Sequence, residues 1–88
     1  MTLAFLNPAR SFDEVRNAVR FSGHDGMFEI RFFVEAAALG LSGEDMTEPE
    51  ARSLAAFDAR RDTIQDAASR AYSGRGGNFI TLTAADFR

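Results

Sequence analysis

Two runs of alternating side chains meet at Gly23-His24-Asp25-Gly26, which makes residues 16–34 read as a strand hairpin. Before the turn, Val19 and Phe21 point one way while Ala18 and Arg20 point the other. After it, Phe28, Ile30, Phe32 and Val34 share a face. Glu29 and Arg31 occupy the opposite face, with Met27 and Phe33. A period of two with one apolar face is the pattern of a half-buried strand. Two glycines around a polar pair, ending in Asp-Gly, are a hairpin signal. Charge selects among registers. A two-residue Asp25-Gly26 loop sets Arg20 opposite Arg31. A four-residue loop, residues 23–26, sets Arg20 opposite Glu29 and Phe21 opposite Phe28. Facing opposite charges contribute about 0.2–1 kcal/mol and like charges cost, so the four-residue loop is preferred. Both registers keep Val19 and Phe21 on the core face.

The rest of the chain supplies what covers that face. Residues 2–6 are a short apolar segment stopped by Asn7-Pro8, suited to an edge strand. Residues 7–13 are turn-like. Residues 35–41 are rich in helix formers and end at Gly40 or Gly43, which allows one or two turns. Thr47-Glu48-Pro49-Glu50 has a capping residue, an acid three positions on and proline in the first turn. The spacing of Leu54, Phe57, Ile64, Ala68 and Ala71 predicts one long helix over residues 48–73, ended by Gly74, Gly76 and Gly77. Residues 78–83 are short, β-branched and aromatic, and read as a returning strand. Thr83 to Phe87 is a closing turn. The expectation is a single α+β domain over residues 1–88. It has a small antiparallel sheet of three or four strands with one long helix packed on one face. The other face is at least partly open.

A chain of 88 residues has one modest core. It carries nine phenylalanines, each worth roughly 1.5–3 kcal/mol gross when buried, so most of the rings belong inside. There are no cysteines, which excludes disulfides, cysteine nucleophiles and thiolate metal sites. No apolar run approaches the ~20 residues of a membrane span, and the N-terminus does not read as a signal peptide. The expected compartment is the cytoplasm. All ten basic residues are arginine, yet the formal net charge is −3, which argues against a nucleic-acid protein with a basic face.

Candidate chemistry is sparse. His24 is the only histidine and has no companion ligands for zinc. Glu44, Asp45, Glu48 and Glu50 cluster at a helix start, where the macrodipole favours acids, and their spacing is not that of a calcium loop. Asp13 and Glu14 are adjacent carboxylates with no nucleophile or oxyanion donor to serve. Arg16 and Arg20 lack the partner motif of a cyclic-dinucleotide clamp. Gly74-Arg75-Gly76-Gly77 sits at a helix exit, the negative end of the dipole, which opposes anion binding. No catalytic, metal-binding or cofactor-binding residue is assigned, and no cofactor is expected.

Several segments together carry a resemblance. They are Asn7-Pro8, Arg10-Ser11-Phe12-Asp13, Val19-Arg20-Phe21, Gly23-His24-Asp25-Gly26, Phe32-Phe33-Val34, Leu54 with Phe57-Asp58, and Leu82-Thr83 with Asp86-Phe87. The chain resembles, over nearly its whole length, the short proteobacterial proteins grouped as domain of unknown function 1488. The resemblance implies a small cytoplasmic α+β protein and carries over no activity, substrate or site.

The expected function is therefore non-enzymatic protein contact, with a protein partner or by self-association, a homodimer being one form. The candidate surface is Arg20, Met27, Glu29, Arg31 and Phe33, where apolar groups stand beside arginine. Burial of Phe33 within the monomer would make this surface assignment fail. The alternative is a weak nucleic-acid or nucleotide binder using Arg16, Arg20, Arg31 and Arg75 with an exposed Phe33. A small hydrolase centred on His24 and Asp25 is the third and weakest reading.

Overall fold

The computed structural model describes residues 3–6, 8–41 and 48–87. The N-terminal strands are β1 (Ser11–Asp13), β2 (Ala18–Asp25) and β3 (Phe28–Glu35). A 3-10 turn, Ala36–Leu39, follows and is closed by Gly40 at φ 80°. Helices α1 (Pro49–Ala59) and α2 (Arg61–Arg75) lead to β4 (Phe79–Leu82) and a final 3-10 turn, Ala84–Phe87. The sheet order is β1-β2-β3-β4, so this is an α+β fold with helices on one face.

The hairpin register differs from both expected ones. Asp25 faces Phe28 across a two-residue turn of Gly26 and Met27, which sets Phe21 opposite Phe32 and Arg20 opposite Phe33. Gly26 carries the positive φ, 62°, at the first central position of the turn, and Met27 does not. That is the backbone pattern of a type II′ hairpin, whose twist matches the strands. The Phe21 and Phe32 rings stack at 5.1 Å between centroids, 15° from parallel, and Phe57 of α1 meets Phe21 at 5.1 Å. Burial of this trio outweighs the small charge term that favoured the other pairing.

Two further details are corrected. The sheet is mixed, because β4 runs parallel to β3. The helices make the return journey: they leave the Glu35 end of β3 and bring the chain back to the hairpin end. There the Tyr72 hydroxyl of α2 donates to Asp25 Oδ2 at 2.6 Å. A strand starting at that end must run with β3, not against it. The single long helix is two helices with a break at Arg60, which has φ −120° and ψ 20°. The Arg60 N–H reaches only as far back as Phe57 O. A straight helix of residues 48–73 would be about 40 Å long at 1.5 Å per residue, whereas an eight-residue strand spans about 27 Å. The break lets α1 pack on β1 and β2 while α2 packs on β4.

At the outer edge of β2, residues 11–13, expected as a turn, form β1. The expected first strand, residues 2–6, is represented by one bridge, in which Ala4 and His24 exchange both backbone hydrogen bonds. Thr47, expected to cap α1, lies outside the described residues. The core joins Val19, Phe21, Ile30, Phe32, Val34, Phe57, Ile64, Ala68, Ile80 and Leu82.

Two substitutions test this packing by urea unfolding. A Cβ on Gly23 would lie 3.1 Å from Leu3 and Phe5 side-chain atoms, so Gly23→Ala should lower stability by about 1–3 kcal/mol. The buried Ser53 Oγ has no hydrogen-bond partner among the described residues. Ser53→Ala removes that unsatisfied hydroxyl and adds helix propensity, so it should raise stability by about 1 kcal/mol. Equal effects of the two variants would contradict the packing described.

Candidate functional site

The pleat that buries Phe21 and Phe32 sends the alternate residues to the face without helices. Register arranges them in cross-strand rows. Ser11, Arg20, Phe33 and Thr81 form one row, and Ser22, Arg31 and Phe79 form the next. His24 and Glu29 form a third. Of the candidate surface residues, Arg20, Glu29 and Arg31 are exposed on this face, and Met27 is exposed in the turn. Phe33 is not: only 4% of it reaches solvent. With Phe33 buried, the candidate surface fails as it was assigned.

Arg16 is the reason. Asp13 Oδ1 accepts the N–H groups of Val15 (3.0 Å) and Arg16 (3.1 Å), which folds the chain after β1 into a tight turn. Asp13 Oδ2 also accepts from Arg16 Nη1 at 3.1 Å. So held, the Arg16 guanidinium lies over the Phe33 ring at 4.7 Å and the Phe79 ring at 5.5 Å. Phe79 packs on Phe33 at 5.0 Å as its diagonal neighbour across the β3–β4 ladder. The arrangement is a cation–π roof over part of the open face. Its sequence signal is the Asp13-x-x-Arg16 spacing, which a strand-centred reading passes over.

The aromatic ring that does reach solvent on this face is Phe79, at 49%, a residue absent from the candidate set. At the hairpin tip Met27 is 97% exposed and Phe28 is 74% exposed. Phe28 occupies a core-face position by parity but stands at the last pair of the ladder, next to the turn. Sequence alternation cannot tell where the helices stop covering the sheet.

The remaining candidates fall apart spatially. His24 and Asp25 are consecutive in β2, so their side chains leave opposite faces. Asp25 is bound to Tyr72 on the helix side, and this hydrogen bond raises the Tyr72 pKa above its ordinary value. The His24 Nδ1 is buried without a partner among the described residues. Arg75 donates to the Thr81 carbonyl at 3.1 Å and to Asp86, closing the C-terminal turn against β4. Glu44 and Asp45 lie outside the described residues, while Glu48 and Glu50 are exposed at the start of α1. Among the described residues no three acids, histidines or cysteines gather as metal ligands. No helix among them is long and apolar enough to cross a membrane.

These features define a small α+β domain with one covered and one largely open sheet face. Residues 3–82 match the family described as Protein of unknown function (DUF1488), and the chain belongs to it. No curated protein matches the chain, and no solved structure does.

The roof makes a prediction at neutral and acid pH. Arg16→Ala should lower stability by about 1 kcal/mol and increase binding of a hydrophobic dye as Phe33 and Phe79 are uncovered. The Arg16 backbone N–H, aided by its guanidinium, holds the Asp13 carboxyl below its ordinary pKa. Its contribution to stability is thus present above the unfolded carboxylate value, about 3.9, and is lost as pH falls through the lowered folded value. Acidification of the wild type should reproduce the dye response of Arg16→Ala. Dye binding unchanged in the variant would contradict the roof.

Proposed function

We propose that this chain is a small, non-enzymatic cytoplasmic domain that works through protein contact, with a second copy of itself as the first partner to test. The hairpin tip carries this reading. Met27 and Phe28 are consecutive, large and apolar, and both are largely in water. Phe79 adds a half-exposed ring beside Arg31. Single exposed apolar residues are ordinary, but adjacent ones at an exposed turn favour a contact surface. Arginine next to aromatic rings matches the composition of interface centres.

The nucleic-acid alternative draws less support. Arg16 is committed to Asp13 and the phenylalanine roof, and Arg75 to Asp86 and Thr81. Phe33 cannot stack on a base from beneath Arg16. Arg20 and Arg31 remain. The hydrolase reading draws none from the opposed directions of His24 and Asp25.

Sedimentation velocity over a range of concentrations tests self-association. Wild type should shift toward dimer mass as concentration rises. The double variant Met27→Ser, Phe28→Ser should remain monomeric, with its unfolding midpoint little changed because both side chains are exposed. A wild type that sediments as a monomer at every concentration contradicts self-association.

A further inference from the structure

The outer edge of β2 is paired in two pieces. β1 pairs Ser11 with Arg20, and Ala4 pairs with His24. The two pairings are out of register with each other. Continued unbroken, the β1 ladder would bring position 7 opposite His24, yet the residue there is Ala4, three positions earlier. Ser22 falls between the two pairings and lies at a notch of about 290 Å³. The polar lining of the notch is Arg10, Ser11, Arg20, Ser22, Glu29 and Arg31.

We propose that this notch binds a phosphoryl group. Arg20 and Arg31 are diagonal neighbours on the open face, since Arg20 faces Phe33 and Arg31 lies two residues before it. Diagonal neighbours are about 7–8 Å apart, a span that one tetrahedral anion between two guanidinium forks can bridge. Arg20 forms no ion pair or side-chain hydrogen bond among the described residues. Among the described residues Arg31 pairs only with Glu29, at 3.9 Å, with both side chains half exposed or more. In contrast, Arg10, Arg16, Arg61, Arg70 and Arg75 all meet carboxylate oxygens within 3.3 Å.

Arg10 forms one wall. Its Nε and Nη2 are fixed by Asp58 at 2.9 and 2.7 Å, so it is held in place at low entropic cost. The Ser11 and Ser22 hydroxyls add neutral donors. Glu29 is the opposing group: it sits in the lining and competes with the anion for Arg31. The volume lies at the lower end of small-molecule clefts, which suits a phosphomonoester and not a dinucleotide. The proposal does not depend on self-association, because it concerns a single chain and is read on dilute monomer.

The test is a titration of the ¹⁵N-labelled full chain at low salt and fixed ionic strength, with inorganic phosphate, AMP and adenosine as separate probes. Phosphate should give saturable shifts centred on Ser11, Arg20, Ser22 and Arg31, and sodium chloride should not. Binding of AMP more tightly than phosphate, with adenosine silent, identifies a nucleotide as the source. Equal binding of AMP and phosphate identifies the phosphoryl group alone. Arg20→Ala should weaken binding about tenfold, as expected for loss of a charge-assisted hydrogen bond. Glu29→Gln should tighten it, and Arg70→Ala should leave it unchanged. Shifts that never saturate, that chloride reproduces, or that Arg20→Ala does not weaken while its spectrum stays folded would overturn the proposal.

Discussion

The stacked pair of Phe21 and Phe32 is the contact on which the rest of the molecule depends. It joins the two longest strands in one register and presents a ring to Phe57 of α1. A shift of the ladder by two residues would keep every side chain on its face but separate these rings. It would also rearrange the open face, because the same ladder decides which exposed residues are neighbours. The row that places Arg20 beside Phe33, and the row that places Ser22 beside Arg31, follow from the aromatic pair beneath them.

Faces were legible in the sequence and neighbours were not. Alternation through Val19, Phe21, Ile30, Phe32 and Val34 survives any even slip, so the face each residue takes was readable from spacing alone. Register turns on a comparison of energies. Exposed cross-strand charges contribute about 0.2–1 kcal/mol, whereas each buried ring contributes about 1.5–3 kcal/mol. The facing of Arg20 and Glu29 is therefore the smaller quantity. The direction of β4 was hidden for a different reason. The apolar stripe of Leu54, Phe57 and Ile64 shows that a helix exists, but not that the helices carry the chain back to the hairpin end before β4 begins. The break at Arg60 is likewise set by the extent of the sheet, which no local pattern records.

Phe33 shows how a correct face can lead to a mistaken surface. It does lie opposite the helices, with Arg20 and Arg31. Yet a side chain from a turn, Arg16, covers it, steered there by Asp13 three residues earlier. The open face is thus divided. The part near Phe33 is roofed and structural. The part near Ser22 retains exposed arginines, and the hairpin tip retains exposed apolar groups. Family membership is consistent with this division without assigning a role to either part.

The most direct measurement is the set of cross-strand Hα–Hα contacts seen by NMR between β2 and β3. His24 exchanges its backbone hydrogen bonds with Ala4 on the outer edge. His24–Glu29, Ser22–Arg31 and Arg20–Phe33 are therefore the non-hydrogen-bonded pairs of the inner ladder, with Cα atoms about 4.5 Å apart. Strong Hα–Hα contacts are expected for those three pairs. Contacts from Arg20 to Glu29 or to Arg31 in their place would contradict the register, and with it the roof over Phe33 and the notch at Ser22.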